Sequence, residues 1–249
     1  MSFCERAQRP QWGGGYLKEL ATACLAKVET VEPRAINDLR GWLANGTTAF
    51  SWGSGCSGTD APQWSFEGIK EALRDDGLEV TVVHKCSAEK DSAKRKFIQQ
   101  VATPEILAGD VFDLSAQHCW DYIGERWIQP LAWLMGVLVF IAGFVCKSVS
   151  SLNNDWKNAS KAVWEKASKT GSTFLAVLLF VQTFKPPCVI LENVFGLMRN
   201  QQHLSVMAQV GRLGYAVVCF KMSPKLDVGF PHDRPRLYFL GVRLSGFQE

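Results

Sequence analysis

The chain lacks a charge bias. Its 27 Lys and Arg face 24 Asp and Glu, a formal net charge of +3 over 249 residues, so nucleic-acid binding by a protein-wide positive field is excluded and any such contact must rest on a local patch. It also lacks a C-x-x-C pair. The eight Cys at 4, 24, 56, 86, 119, 146, 188 and 219 are scattered, which excludes a zinc ribbon or a small disulfide framework and reads as reduced intracellular thiols. No metal is expected. The opening MSFCERAQRPQWGGGYLKEL has no apolar core of the length a secretory signal needs. The chain therefore reads as not secreted, and the N-x-[ST] triplets at Asn45 and Asn158 as chance matches. Repeats and low-complexity segments are absent too. The run Leu131–Cys146 is free of charge, yet it stops short of the roughly 18 to 20 residues that cross a bilayer. A membrane helix there competes with a helix end or loop running into a buried parallel strand, VLVFIAGF. The second reading is preferred, and no membrane partner is expected.

What is present is the composition of a globular protein, 47% hydrophobic and 20% charged, with room for one large domain or two small ones. Residues 1–46 read as an N-terminal extension with helices near Tyr16–Val28 and Ala35–Leu43, packed on the main domain. Residues 47–249 read as that domain. There TTAFSW, FEGIKEALRDDG, LEVTVVHKC, DSAKRKFIQQV, DVFDL, VLVFIAGF, STFLAVLLFVQTF, CVILENV, HLSVMAQVGRLG and YAVVCFKM alternate short apolar runs with amphipathic helices. That alternation predicts a doubly wound, mostly parallel α/β sheet. One connection, Lys147 to Thr170, holds five Lys against two acids. It is read as a basic flap over an anionic substrate, since it comes after a strand end, where such sheets place their ligands.

Several strand ends carry chemistry. FSWGSGCSGTD, from Phe50 to Asp60, has glycines at 53, 55 and 58 that let backbone approach a ligand closely. Glu89 comes after the next strand, where a carboxylate can accept both hydroxyls of a ribose, and Asp110 after the third, within reach of an adenine amino group. Cys146 and Glu192 each lie past an apolar strand, so adjacent parallel strands would bring a thiol and a carboxylate to one edge. A thiolate there can add to an electrophilic ring carbon.

In that order the chain resembles the cytosine-5 DNA methyltransferases, whose motifs are matched by FSWGSG, SAEKD, AGDVF, AGFVCKSVSSLN, TGSTF, ENV and PHDRPRLYFLGVR over about residues 47 to 243. The resemblance implies a Rossmann-like fold that uses S-adenosylmethionine, held by Phe50, Gly53, Gly55, Glu89 and Asp110. It further implies that Cys146 attacks carbon 6 of a flipped cytosine while Glu192 holds ring nitrogen 3. Arg234 and Arg236 would then orient Glu192 and the pyrimidine or its phosphate. DNA is the implied substrate, with RNA left open, and a nuclear or otherwise intracellular location goes with it. The chain departs from the family at Val145, where the family has Pro, at Lys147 and at His232, both Gln there. It is also expected to lack the target-recognition domain and the C-terminal Asn motif, and a partner chain is the expected source of target recognition. The alternative is a catalytically impaired methyltransferase-like binding or scaffold module.

Overall fold

Strand residues rich in Val, Ile and Phe alternate along the chain with segments of helical period, and the computed structural model has the same alternation. It describes residues 14–44, 49–144, 169–199, 201–227 and 233–244. Helices α1 (Gly14–Val31) and α2 (Pro33–Ala44) precede β1 (Ala49–Gly55), α3 (Pro62–Asp75), β2 (Thr81–Ala88), α4 (Ser92–Val101) and β3 (Ile106–Ala108). A 3₁₀ turn over Val111–Ser115, a hairpin of β4 (Cys119–Asp121) and β5 (Arg126–Ile128), and α5 (Pro130–Leu134) lead into β6 (Val139–Gly143). Then come α6 (Lys169–Phe184), β7 (Cys188–Val194), α7 (Gly196–Arg199), α8 (Gln202–Arg212), β8 (Tyr215–Met222), α9 (Pro224–Asp227) and β9 (Arg236–Arg243).

Seven strands form one sheet in the order β3-β2-β1-β6-β7-β9-β8. β3, β2, β1, β6 and β7 are parallel neighbours, and β9 runs antiparallel between β7 and β8. This is a Rossmann-like doubly wound sheet. From β1 the chain winds outward to β3, and from β6 it winds the other way, so the reversal lies between β1 and β6. A crevice opens there at the carboxyl ends of the strands, and this positions the site.

One face of the sheet is sealed by α6, which is apolar almost all round because it is buried rather than amphipathic. Phe174, Val177, Phe180 and Val181 are all at most 2% exposed, and Phe180 stacks on Phe140 of β6 with ring centroids 3.8 Å apart. The other face, over β1 and β2, is covered by α3, with Trp52 and Phe66 packed at 5.0 Å. α1 lies on α3. A Cβ at Gly68 would stand 2.9 Å from the Leu17 backbone, so the absence of a side chain there sets the helix approach.

One expectation changes, and the reading of the run from Leu131 as a helix end leading into a buried parallel strand is met. DVFDL was read among the apolar strand-like runs, but the strand is Ile106–Ala108, and Asp110 accepts the Phe112 N–H at 3.2 Å and starts a 3₁₀ turn instead. The run from Leu131 is split between α5, a turn with Gly136 at φ +85° and β6. Among the described residues no helix is long and apolar enough to cross a membrane. The 147–170 connection, apart from the two residues that open α6, lies outside the described residues.

Candidate active site

The loop after β1 turns sharply three times. Cys56, Gly58 and Asp60 all have positive φ, at 54°, 60° and 58°. Within it the Gly58 N–H donates to Glu89 Oε2 at 2.7 Å, and the Asp91 N–H donates to Glu89 Oε1 at 2.9 Å. Glu89, only 8% exposed, thus fastens the loop after β1 to the start of α4, whose own N-cap is Asp91. A carboxylate has about four acceptor positions. Two are used here, and the rest are available to a ligand's hydroxyls.

Asp110, in the loop just past the end of β3, serves two partners besides the Phe112 N–H. Its backbone N–H donates to Asp113 Oδ2 at 2.9 Å, and its Oδ2 accepts Lys90 Nζ at 2.9 Å. Cys56, Gly58, Glu89, Lys90, Asp110, Phe112 and Gly143 line one cavity of about 410 Å³, within the size range of small-molecule sites. Burial, then Glu89 and Asp110, push the Cys56 thiol up to about 12, so it stays protonated. A cavity of similar size, about 380 Å³, between the 3₁₀ turn and the end of α6 has neither a carboxylate nor a thiol in its lining.

The second part of the site lies across the sheet. Glu192 on β7 pairs with Gly143 on β6 and with Tyr238 on β9. Arg236, at the start of β9, reaches back to place Nε 2.7 Å from Glu192 Oε1. Burial raises the Glu192 carboxyl above its ordinary range, against the lowering pull of Arg236 and Arg234. Gly143 links the two parts, since it lines the cavity and a Cβ on it would stand 3.1 Å from Glu192 Oε2. The buried Asn193 donates from Nδ2 to the Phe144 carbonyl at 2.9 Å, tying down the end of β6.

The structure therefore brings Glu89, Asp110, Glu192 and Arg236 to one edge of the sheet. It corrects the expectation for Phe50 and Gly53. Phe50 is the second residue of β1, five residues or roughly 16 Å from Gly55, and packs on Phe66 at 5.2 Å. Gly53 sits inside β1, where a Cβ would be 2.5 Å from Cys86 Sγ. Its lack of a side chain serves strand packing. Gly55 lies under the cavity floor, where a Cβ would meet Phe140 and Val111 at 3.0 and 3.1 Å. Arg234 is exposed and reaches Glu192 through charge alone. Cys146, with Val145, Lys147 and His232, lies outside the described residues. Sequence reasoning missed Cys56, Phe112 and Gly143 as lining residues. Gly58 was legible as a turn glycine, but its N–H partner was not.

The described residues fit an adenosyl cofactor. Two carboxylates with free acceptor positions flank a cavity, the Phe112 ring is 37% exposed at its wall, and Gly58 has open space where a Cβ would stand.

Fold and site together define a Rossmann-like domain with a two-carboxylate cavity at the point where its strand order reverses. Residues 135–246 match the model of the C-5 cytosine-specific DNA methylase family. Over 191 residues the chain is 30% identical to the DNA (cytosine-5-)-methyltransferase DMT5 of Cryptococcus neoformans var. grubii, a match covering 76% of this chain and 7% of that protein. The chain is thus similar to the cytosine-5 DNA methyltransferases, and it spans only a small part of the length of that curated relative. Among solved structures it is similar to the Dnmt2 methyltransferase of S. pombe, with a TM-score of 0.48 and 15% identity over 81% of this chain and 51% of that one. It is likewise similar to the methyltransferase EhMeth of Entamoeba histolytica, with a TM-score of 0.48 and 13% identity over 81% and 55%.

Proposed function

We propose that the chain transfers a methyl group from S-adenosylmethionine to carbon 5 of cytosine in DNA through a covalent adduct of Cys146. The observation that carries this reading is Gly143, which touches both the two-carboxylate cavity and the half-buried Glu192. A cofactor site and a base site thus share one sheet edge, and the strand between them leads directly to the segment bearing Cys146. Glu89 and Asp110 hold the cofactor by its hydroxyl and amino groups, with Gly58 and Phe112 at the walls. When bound, S-adenosylmethionine supplies the electrophilic methyl group that carbon 5 takes up.

The rest is the work of the chain. The Cys146 thiolate forms a bond to carbon 6 and the ring's double-bond electrons move to carbon 5. Glu192, whose protonated form burial favours, donates at ring nitrogen 3 and so favours that attack. Arg236 fixes the carboxyl's orientation, a task that suits a rigid guanidinium. After methylation a base removes the proton from carbon 5, the double bond re-forms and the thiolate leaves. A nuclear location accords with DNA as substrate.

A duplex carrying 5-fluorocytosine tests the reading, because fluorine cannot leave as the proton does and the adduct persists. A denaturant-resistant species formed with the cofactor and lost in Cys146→Ser is expected. Cofactor binding without any adduct would leave instead a binding module of the same fold, the reading that Val145 favours.

A further inference from the structure

Beneath the cavity lies a polar cluster that the reaction does not use. Asp60 is 0% exposed. Its Oδ1 accepts the Ser54 hydroxyl at 2.7 Å, and its Oδ2 accepts the Ser87 hydroxyl. Ser87 has spent its one proton on Asp60, so the 2.8 Å contact between its oxygen and His84 Nε2 requires His84 to donate. His84 in turn stacks on Trp52 with ring centres 3.7 Å apart. The chain of donors runs His84, Ser87, Asp60, and it crosses from β2 to the loop after β1. Ser57 closes the other side, accepting the Ala88 N–H on its hydroxyl at 3.0 Å and contacting Ser54 Oγ at 2.6 Å.

The loop these groups hold contains two non-glycine residues, Cys56 and Asp60, in left-handed backbone. That conformation is disfavoured for side-chain-bearing residues and persists only where the surroundings impose it. A buried carboxylate is likewise a costly way to close a turn. Both costs fall on the five residues that carry the Gly58 N–H to Glu89.

We propose that Asp60 is a positioning residue for the cofactor: its carboxylate, clamped by Ser54 and Ser87, locks residues 56–60 in the turns that aim the Gly58 N–H at Glu89. This rests on the cofactor reading of the cavity and adds its control. Protonation of Asp60 replaces an acceptor by a donor opposite two hydroxyls that already donate, so the clamp opens. Burial raises the Asp60 carboxyl to about 6, with Ser87 and Ser54 pulling it down and Glu89 pushing it up. The groups that face it are His84, held neutral by a value lowered to about 3, the buried Cys86 thiol and Glu89. Lys90, Lys94 and Asp110 lie beyond Glu89 around the cavity. Cofactor affinity should follow the ionised fraction of Asp60.

The test is calorimetric titration with S-adenosylhomocysteine from pH 5 to 8 on the full chain. Parent affinity should fall about tenfold between pH 7.5 and pH 5, the ratio of ionised fractions for a group near 6. Asp60→Asn should bind at least about tenfold more weakly at pH 7.5 and show a flat profile. If that variant does not fold, Ser54→Ala must move the parent's midpoint upward, since it removes a donor that stabilises the anion. An unmoved midpoint, or an Asn variant that binds and titrates like the parent, overturns the proposal. A parent that binds with a flat profile overturns the clamp and leaves the cavity reading standing. A parent that binds at no pH overturns both.

Discussion

The two halves of the sheet edge hold their carboxylates in different ways. In the parallel half, β1 to β3, Glu89 and Asp110 are held locally: each engages backbone N–H groups within its own loop or the neighbouring one, at 2.7 to 3.2 Å. In the half where β9 runs antiparallel, Glu192 engages no backbone donor among the described residues. It is held instead by the strand register that puts it beside Gly143 and Tyr238, and by Arg236 from the next strand. The first arrangement suits a group that accepts hydrogen bonds. The second leaves a carboxyl whose protonated form, the one that can give a proton, burial favours. One edge thus offers an acceptor site and a donor site, and the difference comes from the backbone around each acid.

That contrast can be broken at either end. The largest effect is expected at Cys146, where Cys146→Ser should abolish the fluorocytosine adduct while leaving cofactor titration unchanged; persistence of the adduct would remove Cys146 from the reaction. Next, Glu192→Gln should slow adduct formation by roughly 10² to 10⁴, the usual worth of a positioned acid, with cofactor affinity intact. A comparable loss of cofactor binding would show that the two halves do not divide the work. In the other half, Glu89→Ala should weaken S-adenosylhomocysteine binding about tenfold to a hundredfold, measured by calorimetry, with no change in the pH profile of whatever adduct still forms at saturating cofactor.

Smaller effects sharpen the comparison. Because Asp60 has a higher pKa folded than unfolded, the native state takes up its proton first on acidification. This group therefore adds stability as pH falls from about 6 to about 4, on the order of 2 kcal/mol. The melting temperature of the parent, taken relative to Asp60→Asn, should rise over that window while cofactor affinity falls. A relative melting temperature that drops in step with affinity would mean a simple loss of structure. Smallest of all, Phe50→Leu should cost about 1 kcal/mol of stability through looser packing on Phe66 and leave cofactor affinity unaltered. A clear loss of affinity would return Phe50 to the cofactor site.

What the sequence by itself determined was the alternation that makes a doubly wound sheet, and with it the rule that acids just past strand ends meet at one edge. Glu89 and Asp110 were legible for that reason, since a strand's end and the residue after it are local properties of the chain; Glu192, expected past its strand, stands inside β7 because pairing with β9 extends that strand to Val194. Phe50 and Gly53 were misjudged because both lie inside β1, and only the closeness of Phe66 and Cys86, brought there by α3 and β2, reveals that they pack rather than bind. Asp60, His84 and Ser87 were invisible as a group: their one-dimensional spacing has no period, and the contact between them exists only because β1 and β2 are paired in register with their adjoining loops. Which of Arg234 and Arg236 grips Glu192 was likewise left to the antiparallel register of β7 and β9. Hydrophobic period is written into short stretches of chain. Hydrogen-bond geometry between stretches arises only when the sheet closes and excludes water from the polar groups left inside it.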